Sequence, residues 1–182
     1  MSIIRFKSKL VSVGSHTLLV LPKSASEKLP SRGMVMVEGT INESKFQAPL
    51  EPDGRGSHWL KVDKATLKNT GASVGDTLTL VITPSQLWPE PTVPTDLPVA
   101  LITSSKVYTL WKDITPMARW DWIRWIRSTK DPETRKRRIE VMFSKLKAGS
   151  RRPCCFNRTI CTVPDVSHNG VLLNPAQAKT IK

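Results

Sequence analysis

Leu19-Val-Leu-Pro-Lys23, then Ala25-Ser-Glu-Lys-Leu29, then Gly33 and Met34–Thr40 lay out a strand, a proline cap, a short helix, a glycine turn and a second strand. The same order returns in Leu60-Lys-Val-Asp-Lys64, Ala65-Thr-Leu-Lys-Asn69, and Gly75 followed by Asp76–Ile82. Gly33 and Gly75 stand 42 residues apart, and the caps Pro22 and Asp63 stand 41 apart. Self-similarity at a near-constant offset indicates duplication of one supersecondary unit. Around these two copies, alternation and β-branched content predict strands at Ile3–Val13, Thr17–Leu21, Val35–Ile41, Lys45–Leu50, Trp59–Val62 and Thr77–Thr83. Turn signals separate them: Val13-Gly-Ser-His16, Ser31-Arg-Gly33, Ile41-Asn-Glu43 and Pro52-Asp-Gly-Arg-Gly-Ser57.

With 182 residues the chain holds one large domain or two small ones. It is 39% hydrophobic and 24% charged, which excludes wholesale disorder and a fibrous repeat. Twenty-eight Lys and Arg against 15 Asp and Glu leave +13, so anionic partners come first. From Arg119 to Arg158 alone there are 13 basic and 4 acidic residues. Four prolines between Pro84 and Pro94 mark an extended connector, because proline fixes φ and removes a backbone donor. The expected layout is a barrel domain over 1–85, a linker over 86–94, a helical basic tail over 95–150 and a cysteine-containing extension over 151–182. The fold class is α+β. No run of about 18 apolar residues is present to span a membrane, and Pro22 cuts short the early apolar stretch Leu18–Leu21, so a cytoplasmic address is expected.

In the tail, Asp131-Pro-Glu133 opens a helix: Asp caps it, Pro is preorganised at the first position, and Glu suits the positive end. Ile139, Met142, Phe143 and Leu146 form its apolar stripe, and Gly149 stops it. The preceding helix has Thr115 as cap and Pro116 as first residue, and presents Ala118, Trp122, Ile123, Trp125 and Ile126 on one broad face. Further helices are expected over Asp96–Thr103 and around Val107–Trp111. Trp120 falls off the broad face, towards Arg124 and Arg127. Arg135 sits one turn before Ile139, on the apolar face, where a guanidinium needs either an acidic partner from the barrel or a ligand. Trp120, Arg124, Arg135 and Arg138 are therefore the candidate anion-binding residues, expected at a cleft between barrel and tail.

The strand–cap–helix–Gly–strand unit resembles the swapped-hairpin folds of small transition-state-regulator DNA-binding domains, which build a barrel from two chains. Here one chain carries both copies, so a monomer suffices to close the barrel. The order Gly39-Thr-Ile-Asn42, Phe46, the Pro52-Asp-Gly54 turn and Val74-Gly-Asp76 resembles a small bacterial β-barrel domain of unknown function. Val93-Pro-Thr-Asp-Leu97, Trp125-Ile126 and Pro132-Glu-Thr-Arg-Lys-Arg-Arg-Ile139 resemble the helical tail of the bacteriocin-protection, YdeI/OmpD-associated family. That resemblance implies tolerance of envelope stress or of peptide toxins, and brings no catalytic residue set with it.

The residues themselves lack enzymatic motifs: there is no His-Glu-x-x-His, no Gly-x-Ser-x-Gly and no phosphate-binding Walker loop. Gly54-Arg-Gly-Ser57 is explained by a tight hairpin more simply than by a phosphate cradle. Cys154, Cys155 and Cys161 make an odd count, which argues against a disulfide framework. Cys155, Cys161 and His168 come nearest to a metal-ligand set, but their spacing is not that of a Cys-x2-Cys knuckle. A hairpin is expected at His168-Asn-Gly170. We expect a non-enzymatic binding protein without cofactor, with a nucleic-acid binder and a small enzyme as the alternatives.

Overall fold

Alternation along the Ile4–Leu10 part of β1 (Ile4–Val13) turns Ile4, Phe6 and Leu10 to one side and Arg5, Lys7 and Lys9 to the other. A strand patterned this way buries one face, and closure into a barrel gives that face an interior. The structure, a computed structural model, describes residues 2–97 and 104–178. Its chain forms two compact units. The first contains β1, β2 (His16–Val20), α1 (Lys23–Ser26), β3 (Val35–Ile41), β4 (Ser44–Pro52), β5 (His58–Lys61), α2 (Lys64–Thr70) and β6 (Thr77–Pro84). Each strand lies within two residues of its expected bounds.

The six strands close in the order β1-β2-β5-β4-β3-β6, every neighbouring pair antiparallel. Laying β1-β2-α1-β3 over β4-β5-α2-β6 maps each pairing onto another. The β1–β2 pair becomes β4–β5, the β3–β4 pair becomes β6–β1, and β2–β5 and β3–β6 map onto themselves. The duplication seen in the sequence is thus a two-fold relation between the halves of one barrel. Closure also leaves this sheet without an edge strand. Leu19, Val35, Val37, Ile41, Leu50, Leu60, Leu78, Leu80 and Ile82 join the β1 residues inside. Each such aliphatic side chain contributes about 1.5–3 kcal/mol by leaving water. Where β3 crosses β6, a Cβ on Gly39 would lie 1.9 Å from the Val81 carbonyl oxygen, so no other residue fits there.

Several side chains that alternate with this interior are nevertheless buried. Leu18, Met36 and Trp59 neighbour Leu19, Val35 and Leu60 in sequence and point outward, yet each is at most 1% exposed. The chain's late segments, Arg158–Cys161 and from Asp165 onward, belong to this unit and bring buried Cys161, Val166 and Leu172. Within them β7 (Ser167–His168) and β8 (Val171–Leu172) form the expected hairpin. Its turn holds Asn169 and Gly170 at positive φ, the conformation an Asn-Gly pair favours. The Leu172 amide donates to the Asp53 carbonyl at 2.9 Å, and a Cβ on Gly54 would lie 2.2 Å from the Gly170 oxygen. A four-residue helix, α6 (Pro175–Ala178), follows.

The second unit contains α3 (Ser105–Asp113), α4 (Pro116–Arg127) and α5 (Pro132–Lys147). Thr115 and Asp131 cap α4 and α5 by accepting the Ala118 and Thr134 amides, each followed by proline at the first position. Leu97, Val107, Trp111, Ile114, Ala118, Trp122, Ile123, Ile126, Ile139, Met142 and Leu146 form its core. The segment expected around Val107–Trp111 is α3; residues 98–103 of the helix expected over Asp96–Thr103 lie outside the described residues. The proline-rich connector is held at both ends: the Ser85 amide donates to Met36 in the first unit, whereas Glu90 pairs with Arg119 in the second.

Candidate functional site

Helix α4 ends at Arg127, and the last carbonyls of a helix have no intrahelical donor. Two arginines from α5 supply donors there. Arg138 Nη1 donates to the Trp125 carbonyl at 2.5 Å and to Ser128 Oγ at 2.6 Å. Arg135 Nη1 reaches the Ile126 carbonyl at 3.5 Å. Cations suit this end of a helix, where the aligned peptide dipoles leave partial negative charge. The Arg138 guanidinium also lies 5.5 Å from the centroid of the Trp125 ring, which packs edge-on against Trp122 at 5.8 Å. Burial pushes the Arg138 pKa below its ordinary value. Among the described residues Arg138 pairs with no carboxylate, and its Nε and Nη2 donate to no protein atom.

Arg135 has a different environment. Its Nε and Nη2 grip Asp96 at 2.5 and 2.8 Å in a bidentate fork. The hydrogen bond from Arg135 holds the Asp96 carboxyl below the usual carboxylate range and raises the pKa of Arg135 in turn. The acidic partner expected from the barrel is instead a residue of the helical unit itself, 39 positions earlier in the chain.

The other two candidates stand apart from this pair. Arg124 is fully buried, with its guanidinium 5.4 Å from the Phe156 ring. Trp120 is half-buried and donates its indole N–H to the Pro89 carbonyl at 2.9 Å. Helix α4 is covered on more sides than its apolar stripe requires, because the segments around Pro89–Glu90 and Phe156 lie against its polar face. Arg119, which the sequence did not single out, is 7% exposed; it pairs with Glu90 and donates to the carbonyls of Trp111, Lys112 and Ile114. Thr115-Pro-Met-Ala-Arg119 gave one usable signal: a cation one turn into a helix, next to the apolar face.

In the barrel unit, His58 is fully buried between Ser26 Oγ, 2.7 Å from Nδ1, and the Gly33 carbonyl, 2.8 Å from Nε2. A carbonyl only accepts, so Nε2 carries a proton, and in the neutral ring Nδ1 accepts from the serine hydroxyl. Arg32 closes over this arrangement, donating to the Ser26 carbonyl at 2.5 Å and to Leu29 at 3.2 Å. Nothing in the sequence sets His58 apart except its place beside a turn. Two of the Gly54–Ser57 amides are also spoken for: the Asp53 carboxylate accepts those of Arg55 and Ser57 at 2.7 and 2.8 Å. Cys154 and Cys155 are exposed, Cys161 is buried and His168 is exposed. Among the described residues no group of three or more His, Cys, Asp or Glu is placed to hold a metal ion. Nor, among them, is any helix long and apolar enough to cross a membrane.

A closed, duplicated six-stranded barrel coupled in one chain to a basic helical unit defines a two-module α+β protein. Residues 6–82 match a domain of unknown function, DUF1905, and residues 90–149 match the family described as bacteriocin-protection, YdeI or OmpD-associated. The chain is thus similar to both family models, one after the other along its length. No curated protein matches the chain.

Proposed function

We propose that the protein is a non-enzymatic binding protein that takes an anionic ligand on the Arg138 guanidinium, whose full positive charge outweighs the partial negative charge of the α4 terminus beside it, in the service of stress or peptide-toxin tolerance. Arg138 carries this reading: a half-buried guanidinium held by neutral acceptors against an aromatic ring, with two nitrogens uncommitted among the described residues. A guanidinium fork matches carboxylate or phosphate geometry, and partial burial strengthens such a pair by lowering the local dielectric. Arg135 is committed to Asp96, and that pairing offsets its charge. Arg124 faces inward and supports Phe156, and Trp120 anchors the connector. The charge of the whole chain also constrains any protective role: at +13 it repels a cationic peptide, so direct sequestration of such a peptide is disfavoured.

Calorimetric titration with tripolyphosphate, at low and moderate salt, tests the site. Arg138→Ala should weaken binding about tenfold, roughly 1.4 kcal/mol, while Arg137→Ala, on the exposed face of α5, should change it little. Equal losses from both substitutions would reduce the effect to diffuse charge and overturn the site. Tight capture of a mixed single-stranded oligonucleotide, falling steeply with salt in wild type and Arg138→Ala alike, would favour nucleic-acid binding instead.

A further inference from the structure

The chain leaves the helical unit through a short irregular stretch in which two adjacent cysteines are presented to solvent. Upstream, the Trp122 indole donates to the Arg151 carbonyl at 3.1 Å, Arg151 Nη2 reaches the Asp113 carboxylate at 2.8 Å, and Pro153 is buried. Downstream, Phe156 lies beneath the Arg124 guanidinium. Between these anchors Cys154 and Cys155 are both exposed as free thiols. Cys155 has φ of +56°, in the left-handed region that a residue with a Cβ occupies only at a cost. That conformation breaks the alternation that sends neighbouring side chains of an extended chain to opposite faces.

We propose that Cys154 and Cys155 form a vicinal dithiol site for a trivalent organoarsenical, or a soft electrophile of the same two-sulfur demand. Three physical arguments select this class. Adjacent thiols are soft ligands and take soft partners. Zinc needs at least three protein ligands, and no group of three donors is in place among the described residues. A direct disulfide is disfavoured as well: consecutive Cα atoms lie about 3.8 Å apart, below the roughly 4.4 Å at which disulfides become relaxed. An arsenic atom between the sulfurs lets them stay further apart and avoids that strain. The reaction balances without an oxidant: two S–H bonds and one As=O bond are lost, two As–S bonds form, and one water leaves while arsenic stays trivalent. Anchoring at both ends limits the entropy lost when the second sulfur engages.

The test uses the full, freshly reduced chain and phenylarsine oxide. Intact mass should rise by one arsenical less one water, with loss of two titratable thiols. The adduct should survive a glutathione chase and be removed by 2,3-dimercaptopropanol. Cys154→Ser and Cys155→Ser should each shorten retention under the chase on the order of 10²-fold, since one sulfur loses the advantage of effective concentration. Cys161→Ser, which alters the buried thiol, should leave retention unchanged, and matching melting temperatures would show that all three variants fold. Retention that persists in either single variant, or that vanishes in Cys161→Ser, overturns the proposal. Spontaneous closure of a Cys154–Cys155 disulfide in air overturns it too.

Discussion

The two units bury charge of opposite sign and satisfy it over different distances. In the barrel unit the buried charged residues are carboxylates, Glu51 and Asp53; in the helical unit two of the three are guanidiniums, Arg119 and Arg124. Asp53 is satisfied within its own turn, by amides two and four residues on. Arg119 draws on Glu90, 29 residues back, and on carbonyls at the C-terminal end of α3. A short side chain finds backbone donors close by, whereas a long cation fills a gap between segments that only tertiary structure brings together. The barrel is held by its strand ladder and apolar interior, whereas the helical unit adds to its apolar core arginines that act as cross-braces between its segments.

The sharpest way to break this contrast is at Arg119. Arg119→Ala removes a buried guanidinium and leaves the Trp111, Lys112 and Ile114 carbonyls without their donor, and should destabilise the helical unit by roughly 1–3 kcal/mol. Urea unfolding followed by tryptophan fluorescence would report it, since Trp111, Trp122 and Trp125 lie in that unit. Arg119→Lys should recover less than half of the loss, because a point charge cannot reproduce the fork. An effect near zero would mean that the brace is ornamental. In the barrel, Ser26→Ala leaves the His58 ring without its hydroxyl partner in a fully buried site, and should cost about 1–2 kcal/mol. A neutral outcome there would show that water replaces the serine.

The smallest expected effect is pH-dependent. Asp96 has a folded pKa lowered chiefly by its hydrogen bond with Arg135. Its contribution is therefore present above the unfolded value of about 3.9 and lost as the pH falls through the lower, folded value. Asp96→Asn should remove part of the acid-limb slope of the melting temperature and leave the slope near neutrality unchanged. A slope identical to wild type would assign acid sensitivity to other carboxylates.

Legibility in the sequence followed the same division. The duplication, the six strands, the Thr115 and Asp131 caps and the Asn169-Gly170 turn depend on neighbours within a few residues, so local pattern was enough to find them. The Asp96–Arg135 pair, the burial of Arg124 beneath Phe156 and the return of the last segments to the barrel each depend on contacts tens of residues apart. Helical periodicity placed Arg135 on the apolar face of α5 correctly but could not name its partner. For Arg124 it failed outright, because the covering ring comes from a segment with no periodicity to read. His58 was illegible for a related reason: a histidine beside a turn looks solvated until a helix from the other half of the duplication closes over it.

The late arrival of the buried residues Cys161, Val166 and Leu172 has a consequence during synthesis. Their unit is completed by the chain from Arg158 onward, whereas the barrel strands end at Pro84. At roughly 5–20 residues per second, a ribosome takes on the order of 4–15 s to travel from Pro84 to Arg158. For this interval a barrel that has already closed lacks the buried Cys161, Val166 and Leu172 of its own unit, and the nascent chain meets its surroundings with that part of the unit still missing. A chaperone that recognises exposed apolar surface would have its window there, before the final hairpin is released.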